Sequence, residues 1–191
     1  NLLVGAPAAW AISRLRFRGR SMVRGLYIVL MLLPFQVTMV PSYLVLRQFG
    51  LLDTPWAIIL PGIFSTFPVF IMERGFDTIP REVLESASID GANQWQRFWR
   101  IGIPLGIPGL ISALTLGFLD AWNAIEQPMT FLESPQYWPL SLFFTDPANL
   151  DTKQLGLAMA ASLWMLLPSI LVFRFGQTYL EAGLTKGAVK G

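Results

Sequence analysis

The sequence predicts an all-α polytopic membrane protein, a bundle of four complete helical spans plus a truncated N-terminal one. Three observations lead there. The 191 residues are 53% apolar and only 14% charged, whereas charged residues make up about a quarter of an ordinary soluble domain. The charges are absent from four long runs: Gly25–Leu46 (22 residues), Thr54–Met72 (19), Ile101–Leu119 (19) and Gln154–Phe173 (20). Roughly 20 mostly apolar helical residues cross a hydrocarbon core about 30 Å thick, and four such runs leave too little polar surface to cover them in a soluble protein. Finally, the basic residues alternate along the chain. Three segments hold 12 of the 14 Lys and Arg, and the two intervening segments hold only Arg47 and Lys153.

Each element follows in order. Leu2–Ile12 is apolar but too short to span. Without a basic leader and cleavage site it is not a signal peptide. It reads as the cytoplasmic end of a span whose beginning is absent, with a short interfacial helix as the alternative. Arg14, Arg16, Arg18, Arg20 and Arg24 precede the first complete span. Beside an apolar helix they read as a topology anchor contacting lipid headgroups rather than as a nucleic-acid site. Because Lys and Arg collect on the cytoplasmic side, Arg14–Arg24, Phe76–Arg100 and the segment from Arg174 onward are inside. Arg47–Asp53 and Gln127–Lys153 are outside. Trp56, Trp122, Tyr137 and Trp138 fall near the outer boundaries, as interfacial aromatics do.

Every complete span contains proline: Pro34 and Pro41, then Pro55, Pro61 and Pro68, then Pro104 and Pro108, then Pro168. Proline removes a backbone donor and frees a carbonyl, which lipid tolerates only where neighbours re-satisfy it. The spans therefore belong to a packed multi-helix assembly. Small residues at Gly106, Gly109, Ser112 and Ala113, and again from Gly156 to Ser162, let helix backbones approach closely.

The composition also excludes chemistries. With no His and no Cys, zinc sites, haem ligation, Ser-His-Asp and thiol catalysis lose their usual residues. No catalytic residue and no metal ligand set is expected. No G-x4-G-K-[ST] run is present, so this chain has no nucleotide-binding P-loop. The charge-free runs carry no midplane carboxylate, which counts against an ion-coupled carrier. Asp120 and Glu126 lie only at a span's outer end, where solvation is the simpler reading.

The polar stretch from Phe76 to Arg100 is patterned. Pro80 suits a first helical turn with Asp77 or Thr78 as cap. Glu82 and Glu85 fall in early turns, where carboxylates complement the helix dipole. Gly91 is a natural stop. A second helix, Asn93–Arg100, carries Trp95, Phe98 and Trp99 and leads into the next span. Such a unit presents a knob to a soluble partner, or is a surface hairpin with none.

Residues Glu85 to Gly91 read E-S-A-S-I-D-G, and nine residues later come Ile101 and Ile103-Pro104. This resembles the EAA-x3-G-x9-I-x-LP loop of bacterial ABC-importer permeases, with Ser86 and Ile103 as mild departures. The flanks extend the resemblance. Ile79–Ala92 is similar to I-P-x-E-L-x-E-A-A-x-I-D-G-A of sugar-type permeases. Leu51-Leu52-Asp53-Thr54 resembles a G-L-x-D-T turn, Trp122-Asn123 a W-N pair near a span's outer end, and Gly183–Gly191 the family's closing sequence. The match runs from about Arg14 to Gly191 and is nearest to maltose-type carbohydrate permeases, the smaller of two permease subunits.

The resemblance implies one transmembrane domain over residues 1–191, with a cytoplasmic coupling loop at 76–104, in the bacterial inner membrane. Such subunits usually have six spans, so the first and most of the second are expected to be missing. It implies as partners a second related permease, two ATPase subunits that bind ATP and Mg, an extracytoplasmic solute-binding protein, a sugar, and lipid. It gives this chain no cofactor of its own. Glu85, Ala87, Asp90, Gly91 and Ala92 become the ATPase-docking residues. Glu85 is expected to meet a basic residue and Gly91 to shape the knob. Lys186, Gly187 and Lys190 become tail contacts with the ATPase. Trp122, Asn123 and Glu126 are the pathway candidates, since aromatic and amide groups suit sugar faces and hydroxyls. A permease for another solute, such as glycerol phosphate, an ion-coupled carrier and a membrane enzyme are the alternatives.

Overall fold

The computed structural model describes residues 1–145 and 155–188, with side chains described up to residue 180. Its described residues form helices α1 (Leu2–Arg14), α2 (Arg20–Leu32), α3 (Phe35–Gln48), α4 (Trp56–Ile63), α5 (Thr66–Asp77), α6 (Arg81–Ile89), α7 (Gln94–Arg97), α8 (Ile103–Trp122), α9 (Glu126–Phe131) and α10 (Leu155–Ala188). A π-helical turn, Phe98–Gly102, joins α7 to α8, and two short 3₁₀ turns follow α9. No strand occurs among the described residues, as the charge-free runs require in lipid, where a helix satisfies its own backbone.

Among the described residues, three stretches are long and apolar enough to cross a bilayer: Trp56–Asp77, Gln94–Trp122 and Leu155–Leu180. The run Gly25–Leu46, expected as one complete span, is instead two helices, α2 and α3, and supplies a fourth crossing only if the two are taken together. The reason is local. Pro34 sits at the N-cap of α3 with extended backbone, and a residue before proline is driven out of the α region. Leu33 therefore ends the helix that the sequence reading carried through it. Pro41 and Pro61, by contrast, stay inside α3 and α4.

The chain divides into two compact units. One comprises residues 1–32, 63–117 and 175–191. Its core gathers Ala6, Ala9, Trp10, Val69, Met72, Phe76, Ile79, Phe98 and Ala113. Trp10 meets Phe76 edge-on at 5.4 Å and Phe98 at 5.8 Å. Helix α1 packs on α5, with Gly5, Ala6, Ala9, Trp10, Ile12 and Ser13 all buried. The small-residue stripe works as expected. Gly75 of α5 and Gly109 of α8 abut so closely that a Cβ on either would lie 2.6–2.7 Å from the other's Cα. Ser112 Oγ lies 2.8 Å from Pro108 O and 2.9 Å from Tyr179 O, so its single proton is shared between its own helix α8 and α10.

The other unit comprises residues 33–62 and 118–174. Leu46, Ala57, Phe131 and Leu132 form its core, with Phe35 edge-on to Phe131 at 5.9 Å.

Candidate functional site

The residues expected to form the coupling loop come together as one small helix–turn–helix unit. Pro80 is the N-cap of α6, one position earlier than its expected place in the first turn, and α6 has no side-chain cap. Asp77 and Thr78 are occupied elsewhere: Asp77 accepts from Ser13 and Arg24, and Thr78 Oγ1 donates to Gly75 O. Glu82 lies in the first turn. The end of α6 is closed by a paired motif. Gly91 N donates to Ser88 O at 3.1 Å and Ala92 N to Ala87 O at 2.9 Å, the two reversed bonds of a Schellman cap, with Asp90 as the C-cap. Gly91 has φ +83°, and a Cβ there would meet nothing within 4 Å. The glycine is therefore required by backbone conformation, not by space. Asn93 then caps α7 in a reciprocal box with Gln96, so the second helix starts where expected.

Glu85, Asp90 and Gly91 are exposed, and Ile89 is 87% exposed. The second helix does not run on as plain α. After Arg97 it widens into the π turn Phe98–Gly102. Pro104 offers no N–H to Arg100 O and its ring crowds that carbonyl, and a wider turn relieves both. This gives the closing proline of the motif a physical role.

The three pathway candidates are close in sequence but differently engaged. Trp122 stacks on Phe118 (5.5 Å, 15° between planes) and donates its Nε1–H to Met165 O at 3.0 Å. Glu126 accepts from Gln36 Nε2 at 2.7 Å. Asn123 is exposed; its Nδ2 donates to Leu119 O, and it lines a cavity of about 400 Å³ with Phe144, Ser162, Met165, Leu166 and Ser169. Of the three, Asn123 alone lines that largely apolar cavity. Lys186 and Gly187 lie at the end of α10, with side chains outside the described ones, and Lys190 lies outside the described residues.

Sequence reasoning missed several placed groups. Asp53, taken as part of a turn, has φ +55°. Its carboxylate accepts from the backbone N–H of Glu133 (2.9 Å) and Ser134 (2.7 Å) and from Ser134 Oγ (2.5 Å). The Ser134 hydroxyl, then its N–H, hold the Asp53 carboxyl below the usual carboxylate range, with the Glu133 N–H adding to this. The basic cluster is likewise more than a charge count. Arg14 donates to Phe76 O and Ile79 O at the end of α5, and Arg20 to Ile12 O and Ser13 O at the end of α1, where helix carbonyls lack partners. Arg24 pairs with buried Glu73 and, at 2.7 Å, with Asp77. The signal available was the arginines falling just beyond apolar runs.

These features, helices apolar and long enough to cross a bilayer and a capped polar helix pair leading into one of them, are those of a polytopic membrane protein. The chain belongs to the family of binding-protein-dependent transport system inner membrane components, whose sequence model matches residues 1–186. It is 33% identical, over its whole length and 69% of the relative's, to the inner membrane ABC transporter permease protein YcjP of Escherichia coli. It is 29% identical, over its whole length and 68% of the relative's, to the arabinooligosaccharides transport system permease protein AraQ of Halalkalibacterium halodurans. It is 32% identical, over its whole length and 70% of the relative's, to the diacetylchitobiose uptake system permease protein DasC of Streptomyces coelicolor. The chain spans about two thirds of the length of these relatives. It is a multi-pass inner-membrane protein, and its family works with a solute-binding protein.

Proposed function

We propose that this chain is the transmembrane subunit of an ATP-driven importer for a sugar or oligosaccharide, and that it acts by changing shape rather than by catalysis. The observation that carries the reading is the capped unit α6–Gly91–α7. Motif positions Ala87, Gly91 and Ala92 make the cap itself, and the cap leaves Glu85 and an 87%-exposed Ile89 on a rigid projection. An apolar side chain held that far into water suits a surface that a partner covers. The partner is the ATPase subunit, present twice, which binds ATP and Mg. A second related permease completes the pore, and a solute-binding protein delivers substrate. Glu85 and Asp90 supply charge to the docking contact, and Lys186, Gly187 and Lys190 extend it.

The oligosaccharide class rests on the names of the relatives above. Asn123, with the hydroxyls of Ser162 and Ser169 around the 400 Å³ cavity, offers the amide and hydroxyl groups that hydrogen-bond sugar hydroxyls. Trp122 and Glu126 serve the pathway by holding its wall.

The test uses the full-length subunit with its partners in proteoliposomes. Gly91→Leu strains the backbone, and Glu85→Lys reverses a charge where like-charge juxtaposition can cost several kcal/mol. Both are expected to abolish uptake of labelled oligosaccharide and substrate-stimulated ATP hydrolysis while insertion stays normal. Wild-type coupling in both would refute the docking role.

A further inference from the structure

Within the second unit a polar pair interrupts apolar surroundings. Gln36 is the twelfth residue of the charge-free run Gly25–Leu46. Its Nε2 donates to Glu126 Oε2 at 2.7 Å, and both residues are exposed. The pair stands on a packed base. Phe35, next to Gln36, meets Phe131 edge-on, and Phe131 at the end of α9 is buried.

The backbone gives the pair its depth. The thirteen residues of α2 rise about 20 Å, whereas a hydrocarbon core is about 30 Å thick. Starting from the basic segment at Arg20, α2 therefore stops inside the core. Leu32, Leu33 and Pro34, where the chain leaves the helix, are all exposed. Non-helical backbone at such depth is tolerated only against protein or beside a water-filled cavity. Sequence position alone puts Glu126 at a span's outer end, but its bond to Gln36 ties it to this break. Charged groups inside a span face the bundle interior or water, not lipid. Glu126 has no cation partner among the described residues, so its charge is uncompensated there.

The chemistry left open is specific. A carboxylate only accepts, so the Gln36 amide turns its NH2 to Glu126 and leaves its carbonyl oxygen free. Neither Glu126 Oε1 nor Gln36 Oε1 takes a hydrogen bond among the described residues. The pair thus presents two open acceptors, one of them charged, and one remaining amide N–H.

We infer that Gln36 and Glu126 line the solute path and filter it by charge, forming a subsite for neutral, hydroxyl-bearing solutes that turns anions away. This rests on the importer function proposed above, and adds to it a named contact and a physical reason for neutral solutes. Hydroxyls donate to both acceptors, and hydrogen bonds to an ionised acceptor are the stronger kind. A phosphate-bearing solute such as glycerol phosphate brings acceptors and like charge, and is repelled.

The experiment uses the full-length subunit with its partners in proteoliposomes, carrying a single introduced cysteine, Gln36→Cys. Three thiol reagents of similar size are the probes: the neutral hydroxyethyl, cationic trimethylammonioethyl and anionic sulfonatoethyl methanethiosulfonates. Mass spectrometry of this subunit reads the modification rate. All three should react, because water reaches the site. Relative to their rates on a free thiol, the cationic reagent should lead the anionic one roughly tenfold, the Coulomb separation of opposite unit charges about 6 Å from a carboxylate at the dielectric of water. The neutral reagent should fall between them. Adding Glu126→Gln should close the gap. Val40→Cys, one turn further along α3 and 57% exposed, keeps the Gln36–Glu126 bond and should show the same order; it decides the matter if Gln36→Cys does not assemble. No modification at either position would overturn the proposal, since the pair would then face lipid or a partner. A gap that persists with Glu126→Gln would also overturn it. Uptake of labelled oligosaccharide by wild type, measured in the same vesicles, tests the importer function separately. Charge order without uptake would refute that function while supporting a water-lined pair; uptake without charge order would overturn the filter alone.

Discussion

The contact between Gly75 and Gly109 allows a quantitative prediction. A methyl group on Gly109 would sit 2.6 Å from Gly75 Cα, 3.3 Å from Gly75 N and 3.6 Å from Ile71 O. Carbon atoms pack best at about 3.5–4.0 Å, so Gly109→Ala forces α5 and α8 apart by about 1 Å. The obstacle is backbone, and no side chain can rotate away. A gap of that size forfeits a quarter to a half of each dispersion contact along the seam, and overpacking of this kind costs about 1–3 kcal/mol. Gly25→Ala is the matched control. It too lies within a helix, but its Cβ would meet nothing within 4 Å, so helix propensity alone acts and favours alanine by about 0.5–1 kcal/mol. Thermal unfolding of the full-length subunit in detergent should show Gly109→Ala lowered and Gly25→Ala unchanged or raised. Gly75→Ala should match Gly109→Ala, because the two Cα atoms press on each other reciprocally. If Gly109→Ala melts with Gly25→Ala, the helices are not held at backbone contact and the reasoning fails.

Three further outcomes are expected. Arg24→Gln leaves Glu73, only 3% exposed, as an uncompensated buried charge and should cost about 3–5 kcal/mol; adding Glu73→Gln should recover most of it, and a double-mutant cycle in the same assay reads the coupling. Asp53 has a folded-state pKa below its unfolded one, so its stabilisation is complete above about pH 4 and is lost as pH falls through the folded value; a melting-temperature gap between wild type and Asp53→Asn should be constant near neutrality and close in acid. At Gly91, where only φ +83° constrains the residue, Asn should retain more coupled ATP hydrolysis than Ala, because Asn tolerates the left-handed region that costs other L-residues roughly 1–2 kcal/mol; equal activity of the two would show that conformation there is not limiting.

The helical class was legible because charge-free runs of span length admit few other folds. The α6–Gly91–α7 unit was legible because its caps are local: Gly91 and Asn93 announce themselves within a few residues. Non-local partnerships were not legible. Nothing near Asp53 indicates that its acceptors face Glu133 and Ser134, about eighty positions away. Nothing near Arg24 points to Glu73, whose burial arises only once α1, α2 and α5 pack. Charge counting treats the Arg14–Arg24 cluster as one electrostatic object, whereas the fold uses Arg14 and Arg20 as caps and Arg24 as an ion pair. Pro34 failed in the other direction. A window of hydropathy passes over it because the apolar count is unaffected, while the backbone stops at the residue before.

The π turn at Phe98–Gly102 sets a phase. Each residue of an α-helix advances by about 100° around the axis, so one residue more or less in the turn rotates everything beyond it by that amount relative to the coupling unit. Upstream, Phe98 must face Trp10 and Phe76. Downstream, Gly106 must face the Phe76 ring and Gly109 must face Gly75. Deleting a single residue within 99–102, with the Phe98 contacts held, would bring Ile107 to the place of Gly106 and Leu110 to the place of Gly109, where not even a methyl group fits. The wide turn is therefore a one-residue shim, and the inventory of small residues in α8 is useful only at the rotation that it dictates.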